Sequence, residues 1–128
     1  MQKQIEFTFT MGSDVLVYTE WNKLRRQLAM DISRDFGGCR FVHGEGAWRD
    51  GAESSAGTYP GKLHHDETLS LIIAVPTQSA EAAFGIIQDT IAAAVHHFDL
   101  GDRIDWIDTT QREVVAHHWQ VSSKLILS

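Results

Sequence analysis

The chain holds one cysteine, Cys39, so no disulfide can form within it and no cluster of zinc thiolates can either. Lysine and arginine total 11 against 17 aspartates and glutamates, a formal net charge of -6 with histidine neutral. That balance excludes a surface built to track a nucleic-acid backbone. No apolar run approaches the length of a membrane span. Residues 1–10 alternate polar and apolar side chains and do not read as a signal peptide, so the expected setting is the cytoplasm. Prolines number two, Pro60 and Pro76, which leaves long stretches free to form regular structure. The 128 residues suffice for one core, and the expectation is a single domain over 1–128.

Periodicity assigns most of the chain. Ile5, Phe7, Phe9 and Met11 alternate with Glu6, Thr8 and Thr10, the period of a strand with one buried face. Trp21, Leu24, Leu28 and Ile32 recur at helical spacing, with Thr19 as the expected N-cap and Glu20 in the first turn. Phe36-Gly37-Gly38 stops that helix. A second strand is expected over Arg40–Trp48, where Gly44 and Gly46 point to a bulge or a close approach by another group. Residues 49–67 read as one long loop containing His64-His65, and loops of that length tend to carry function. Thr68–Val75, apolar on both faces, reads as a central strand.

Pro76-Thr77-Gln78-Ser79 opens a second helix whose stripe is Ala83, Phe84, Ile87, Ile91, Ala94, Val95 and Phe98. It ends near Asp99-Leu100-Gly101. Ile104–Ile107 reads as a short extended piece, Glu113–Trp119 as a fourth strand, and the tail with Leu125-Ile126-Leu127 as an extra edge strand or a contact with a neighbouring chain.

The order β-α-β-β-α-β predicts a ferredoxin-like α+β fold, with a four-stranded antiparallel sheet and both helices on one face. Ile72 and Trp48 or Trp119 are expected on the open face. An apolar face there predicts a homodimer or homotrimer.

Trp21, then Phe36-Gly37-Gly38, then Gly44-Glu45-Gly46-Ala47-Trp48-Arg49-Asp50-Gly51 before an apolar strand, resembles a group of small uncharacterised ferredoxin-like bacterial proteins. The resemblance spans about residues 20–76. It implies a fold and no chemistry. A looser similarity is to PII-type signalling proteins, which share the element order, a glycine-containing second strand and a long ligand-engaging loop. The basic residues that those proteins set around a nucleotide phosphate are missing, which argues against nucleotide binding.

Seven histidines are the most suggestive chemistry: His43 and the pairs His64-His65, His96-His97 and His117-His118. Neighbours in a strand point to opposite faces, so a pair on a strand is badly placed to chelate one ion, and no fixed ligand spacing occurs. No metal site and no cofactor are assigned. Cys39 has no base within reach, since His43 lies about 13 Å along the strand; it reads as a small buried hydrophobe. The expected site is a ligand-binding one made of His43, Glu45, Trp48, Arg49, His64 and His65, in a regulatory domain that binds a small molecule or protein partner through the 49–67 loop. No catalytic residue is assigned. The alternative is a small enzyme of the dimeric ferredoxin-like barrel type, with His43, Glu45 and a loop histidine around an apolar pocket.

Overall fold

The computed structural model describes residues 2–51, 57–104 and 106–122. Its elements are β1 (Gln2–Ser13), α1 (Tyr18–Phe36), β2 (Arg40–Arg49), β3 (Leu63–Pro76), a 3-10 turn (Thr77–Ser79), α2 (Ala80–His97) and β4 (Trp106–Ala116). The strands form one antiparallel sheet in the order β2-β3-β1-β4. This is the ferredoxin-like arrangement that the periodicity predicts.

Side-chain parity divides the sheet. The odd residues of β1 (Ile5, Phe7, Phe9, Met11) lie opposite Val75, Ile73, Leu71 and Leu69 of β3. All eight are buried beneath the helices, with Trp21, Leu24, Leu28 and Ile32 of α1 and Ala83, Ile87, Ile91 and Ala94 of α2. Phe84 stacks on Phe9, with centroids 5.7 Å apart.

Helix α1 begins earlier than expected, with Val17 rather than Thr19 at the N-cap. The Glu20 side chain accepts the Val17 N–H at 3.2 Å, closing the helix end from within the first turn. Ahead of it the buried Ser13 hydroxyl accepts the N–H groups of Val15 and Leu16, each at 3.2 Å, and donates to the Arg103 carbonyl. Gly37 ends the helix at φ 82°, a left-handed conformation that glycine adopts without strain.

Several expectations give way. The 49–67 loop is shorter, because β3 starts at Leu63; the loop covers 50–62, closed by the Asp50 N–H to the Lys62 carbonyl at 3.1 Å. Residues 64–67 are polar, and the strand character of 63–67 comes from pairing with β2, from Arg49↔Leu63 to Glu45↔Glu67. The β2–β3 register runs unbroken through Gly44 and Gly46, so no bulge forms. The fourth strand is one continuous piece, Trp106–Ala116, that leaves His117, His118 and Trp119 beyond its end. Its centre, Asp108-Thr109-Thr110-Gln111-Arg112, has no apolar alternation and is held by β1. Of the tail expected as an extra strand over 121–128, residues 121–122 are helical and 123–128 lie outside the described residues.

The open face is also more polar than expected. It carries Thr8, Thr110 and the Thr10–Ser70 hydroxyl pair at 2.8 Å. Arg112 and Arg40 both reach Glu6, at 3.0 and 3.7 Å. Ile72 is there, but Trp119 is not, and Trp48 is engaged with Asp66. Among the described residues no helix is long and apolar enough to cross a membrane.

Two measurements check this packing. Leu28 is fully buried in the core, so Leu28→Ala lowers unfolding stability by about 2–5 kcal/mol in chemical denaturation. The Glu20 carboxyl is held below its ordinary range, first by the Val17 N–H and then by Arg103, against some desolvation. A depressed folded value stabilises above the unfolded value and is lost as pH falls through the folded one. Glu20→Gln therefore lowers the melting temperature at pH 7, and the deficit closes as the pH falls through the lowered folded value.

Candidate functional site

Strand parity splits the six predicted residues between two faces. Trp48 and His64 are directly opposite on the open face, with their rings stacked at 4.2 Å and 14°. Gly46 faces Asp66 one step along the same face. The Asp66 carboxylate is 2% exposed, and its Oδ2 accepts two indole N–H groups, Trp48 Nε1 at 3.1 Å and Trp106 Nε1 at 2.9 Å. Trp106 reaches it by lying over Gly12, where a Cβ would sit 2.7 Å from the indole. His64 Nε2 meets Asp50 Oδ1 at 2.7 Å, and Arg49 donates to the Gly61 carbonyl at 3.0 Å. These contacts fasten both ends of the 50–62 loop to the sheet.

His43 and Glu45 have the opposite parity and face α1. Tyr18, Trp21, Asn22 and Arg25 recur along the helix at the spacing that keeps them on the side towards β2. Between helix and strand lies a cleft of about 350 Å³ lined by Tyr18, Trp21, His43, Glu45, Glu67 and Thr68. Trp21 is 2% exposed, and its Nε1–H has no acceptor among the described residues. A second cleft, about 430 Å³, shares Glu45 and Glu67 and adds Asp14, His65 and Asp66, whose buried Oδ1 is likewise unpartnered. A third, about 580 Å³, shares Tyr18 and His43 and extends to Arg25, Cys39 and Phe41. The shared residues join the three into one open groove along α1 and β2.

His43, Glu45 and His65 are thus brought to the groove, whereas Trp48, His64 and Arg49 serve the open face and the loop. Trp21 and Arg25 are groove residues that sequence reasoning passes over, and Glu67 and Asp66 stand beside them. Trp21 reads as core from its helical spacing, and its unmet donor has no signature in sequence. Glu67 would have been found from the β2–β3 register. Burial pushes the Cys39 thiol up, away from thiolate. Among the described residues no group of three or more His, Cys, Asp or Glu is placed to hold a metal ion.

No protein-family model matches the chain, and no curated protein matches it. Solved structures do. A phage SAM lyase in complex with S-methyl-5'-thioadenosine matches at TM-score 0.51 and 14% identity, over 88% of this chain and 92% of that one. At that identity the likeness shows the fold alone. The periplasmic divalent cation tolerance protein CutA from Archaeoglobus fulgidus matches at TM-score 0.41 and 7% identity, over 92% and 90% of the two chains. GlnK of B. subtilis matches at TM-score 0.36 and 18% identity, over 86% and 85% of the two chains. These two are too distant for the likeness to carry weight.

The Asp66 cluster makes a quantitative prediction. Trp106→Phe removes one of two donors to a buried carboxylate, so stability falls by about 1.5–3 kcal/mol in urea unfolding. In an Asp66→Leu background the same change falls by much less.

Proposed function

We propose that this chain is a single cytoplasmic domain that binds a small ligand in the groove between α1 and β2 and works as a homo-oligomer. The observation that carries the reading is Trp21, which lines an open cleft and whose buried Nε1 donor has no acceptor among the described residues. Leaving such a group unmet costs about 1–3 kcal/mol, and a ligand that supplies an acceptor removes that penalty. The groove's outer wall belongs to the hairpin that ends in the 50–62 loop. Glu45 stands on one arm and His65 and Glu67 on the other, so a molecule held there bridges both arms of the hairpin. Self-association draws on the two sheet edges, β2 and β4. Edge strands leave backbone groups open to pairing with another chain.

A second reading, a small enzyme, is supported by His43 and Glu45 lining one cleft, where imidazole and carboxylate act on the same bound molecule. The phage SAM lyase of like fold makes SAM the first substrate to try. Release of S-methyl-5'-thioadenosine that falls at least tenfold in His43→Ala establishes the enzyme, and no release leaves the binding reading in place.

Native mass spectrometry of the purified protein tests the leading reading. The expected spectrum is a dimer or trimer carrying a small co-purified mass, and Trp21→Phe loses that mass. A bare monomer overturns the proposal.

A further inference from the structure

Glu45 and Glu67 are direct cross-strand partners on the face towards α1. Residues so placed have Cβ atoms about 4.5–5.5 Å apart, and like charges there destabilise the pair. Neither carboxylate has a hydrogen bond or ion pair among the described residues. Asp14 and Asp66 flank them, and no lysine or arginine lines either of the two clefts they share. A metal ion is a poor answer, since no group of three or more suitable ligands is assembled among the described residues. An organic cation needs no such geometry.

The far end of the groove has the opposite sign. Arg25 is half-buried there, bonded to Asn22 Oδ1 at 2.5 Å, and has no carboxylate partner among the described residues. Arg40, its neighbour, is drawn to Glu6 on the other face of the sheet. Seven helical residues separate Tyr18 from Arg25, about 10 Å along the axis. Four strand residues separate Phe41 from Glu45, about 13 Å. Both spans exceed the Debye length of about 8 Å at physiological salt, so the two ends keep separate fields. Between them Trp21 offers its unmet N–H.

We infer that the groove takes an elongated dipolar small molecule, with its cationic group between Glu45 and Glu67 and its anionic group on Arg25. Three extended peptide units span about 10 Å, so the fitting length is that of a tripeptide. This inference rests on the reading of the groove as a ligand site. The ligand's cation relieves the opposed carboxylates, and a backbone-like carbonyl in its middle accepts from Trp21.

The probes are trialanine, N-acetyl-trialanine and trialanine amide, which differ only in which terminal charge is kept. They are titrated into isotope-labelled protein, with the Trp21 indole N–H signal as the readout. Trialanine is expected to move that signal, with each blocked peptide at least fivefold weaker. Arg25→Gln abolishes the discrimination against the amide and keeps that against the acetyl peptide; Glu45→Gln does the reverse. Glu45→Gln also raises the melting temperature of the free protein, which shows that the variant folds. Equal binding of all three peptides overturns the dipolar inference and leaves the groove as a ligand site. No movement with any peptide also overturns it, while the co-purified mass in native spectra judges the site independently.

Discussion

The register between β1 and β3 is the constraint from which the rest follows. It sets Ile5, Phe7, Phe9 and Met11 against Val75, Ile73, Leu71 and Leu69, so that one face of the two central strands is continuously apolar. A slip of one residue would turn that whole set to the open face and leave both helices without a floor. Once β3 is fixed, its outer partner is fixed too. Glu45 falls opposite Glu67, Gly46 opposite Asp66 and Trp48 opposite His64. The inner register with β4 puts Trp106 beside Gly12, within reach of Asp66. β1 ends at Ser13, opposite Glu67, whereas β3 continues to Leu63. The carboxylates therefore gather where the central partner strand stops and the groove opens. The core and the site are consequences of one alignment.

The two faces of that hairpin use their polar groups differently. On the open face nearly every group is consumed by another. The indoles of Trp48 and Trp106 converge on Asp66, His64 meets Asp50, and Arg49 meets Gly61. Such a set holds geometry, and beyond the second Asp66 oxygen it has little left to offer a visitor. On the groove face Glu45, Glu67 and the Trp21 N–H have no partner among the described residues, and Arg25 has an amide alone. Unmet groups of both signs along one channel are what a ligand site requires. This contrast, rather than the number of histidines, marks the groove as the candidate site.

Periodicity made the ferredoxin-like order legible wherever an element buries one face. β1 alternates cleanly, α1 repeats Trp21, Leu24, Leu28 and Ile32, and the second half of β3 is apolar throughout. The polar strands were not legible. Residues 63–67 and 108–112 have no apolar stripe, because what holds them is backbone pairing to a neighbour rather than burial of side chains. The expected ligand set suffered from the same gap. With 63–67 read as loop, nothing in the sequence could say that His64 and His65 face opposite ways, or that His64 shares a face with Trp48 while His65 joins Glu45. The apolar open face failed for a related reason. Parity puts Thr8, Thr10, Ser70 and Thr110 there, and threonine suits a strand without making it greasy.

The opposed glutamates bear on what the fold was shaped for. A chain selected only for stability has cheap remedies at such a pair, since glutamine at either position keeps the size and removes the repulsion. Polar strand positions tolerate such changes easily, because they touch little of the core. Both charges beside a buried indole that has no acceptor among the described residues stack two local penalties in one channel. Stability selection alone removes such features one substitution at a time. Local conflicts of this kind concentrate where binding uses them, because the ligand's arrival relieves them and so adds to its affinity. The groove is open along its length, so that gain has to come from polar complementarity more than from enclosure of apolar surface. An occupant lacking charge at either end would leave one of the two fields unanswered.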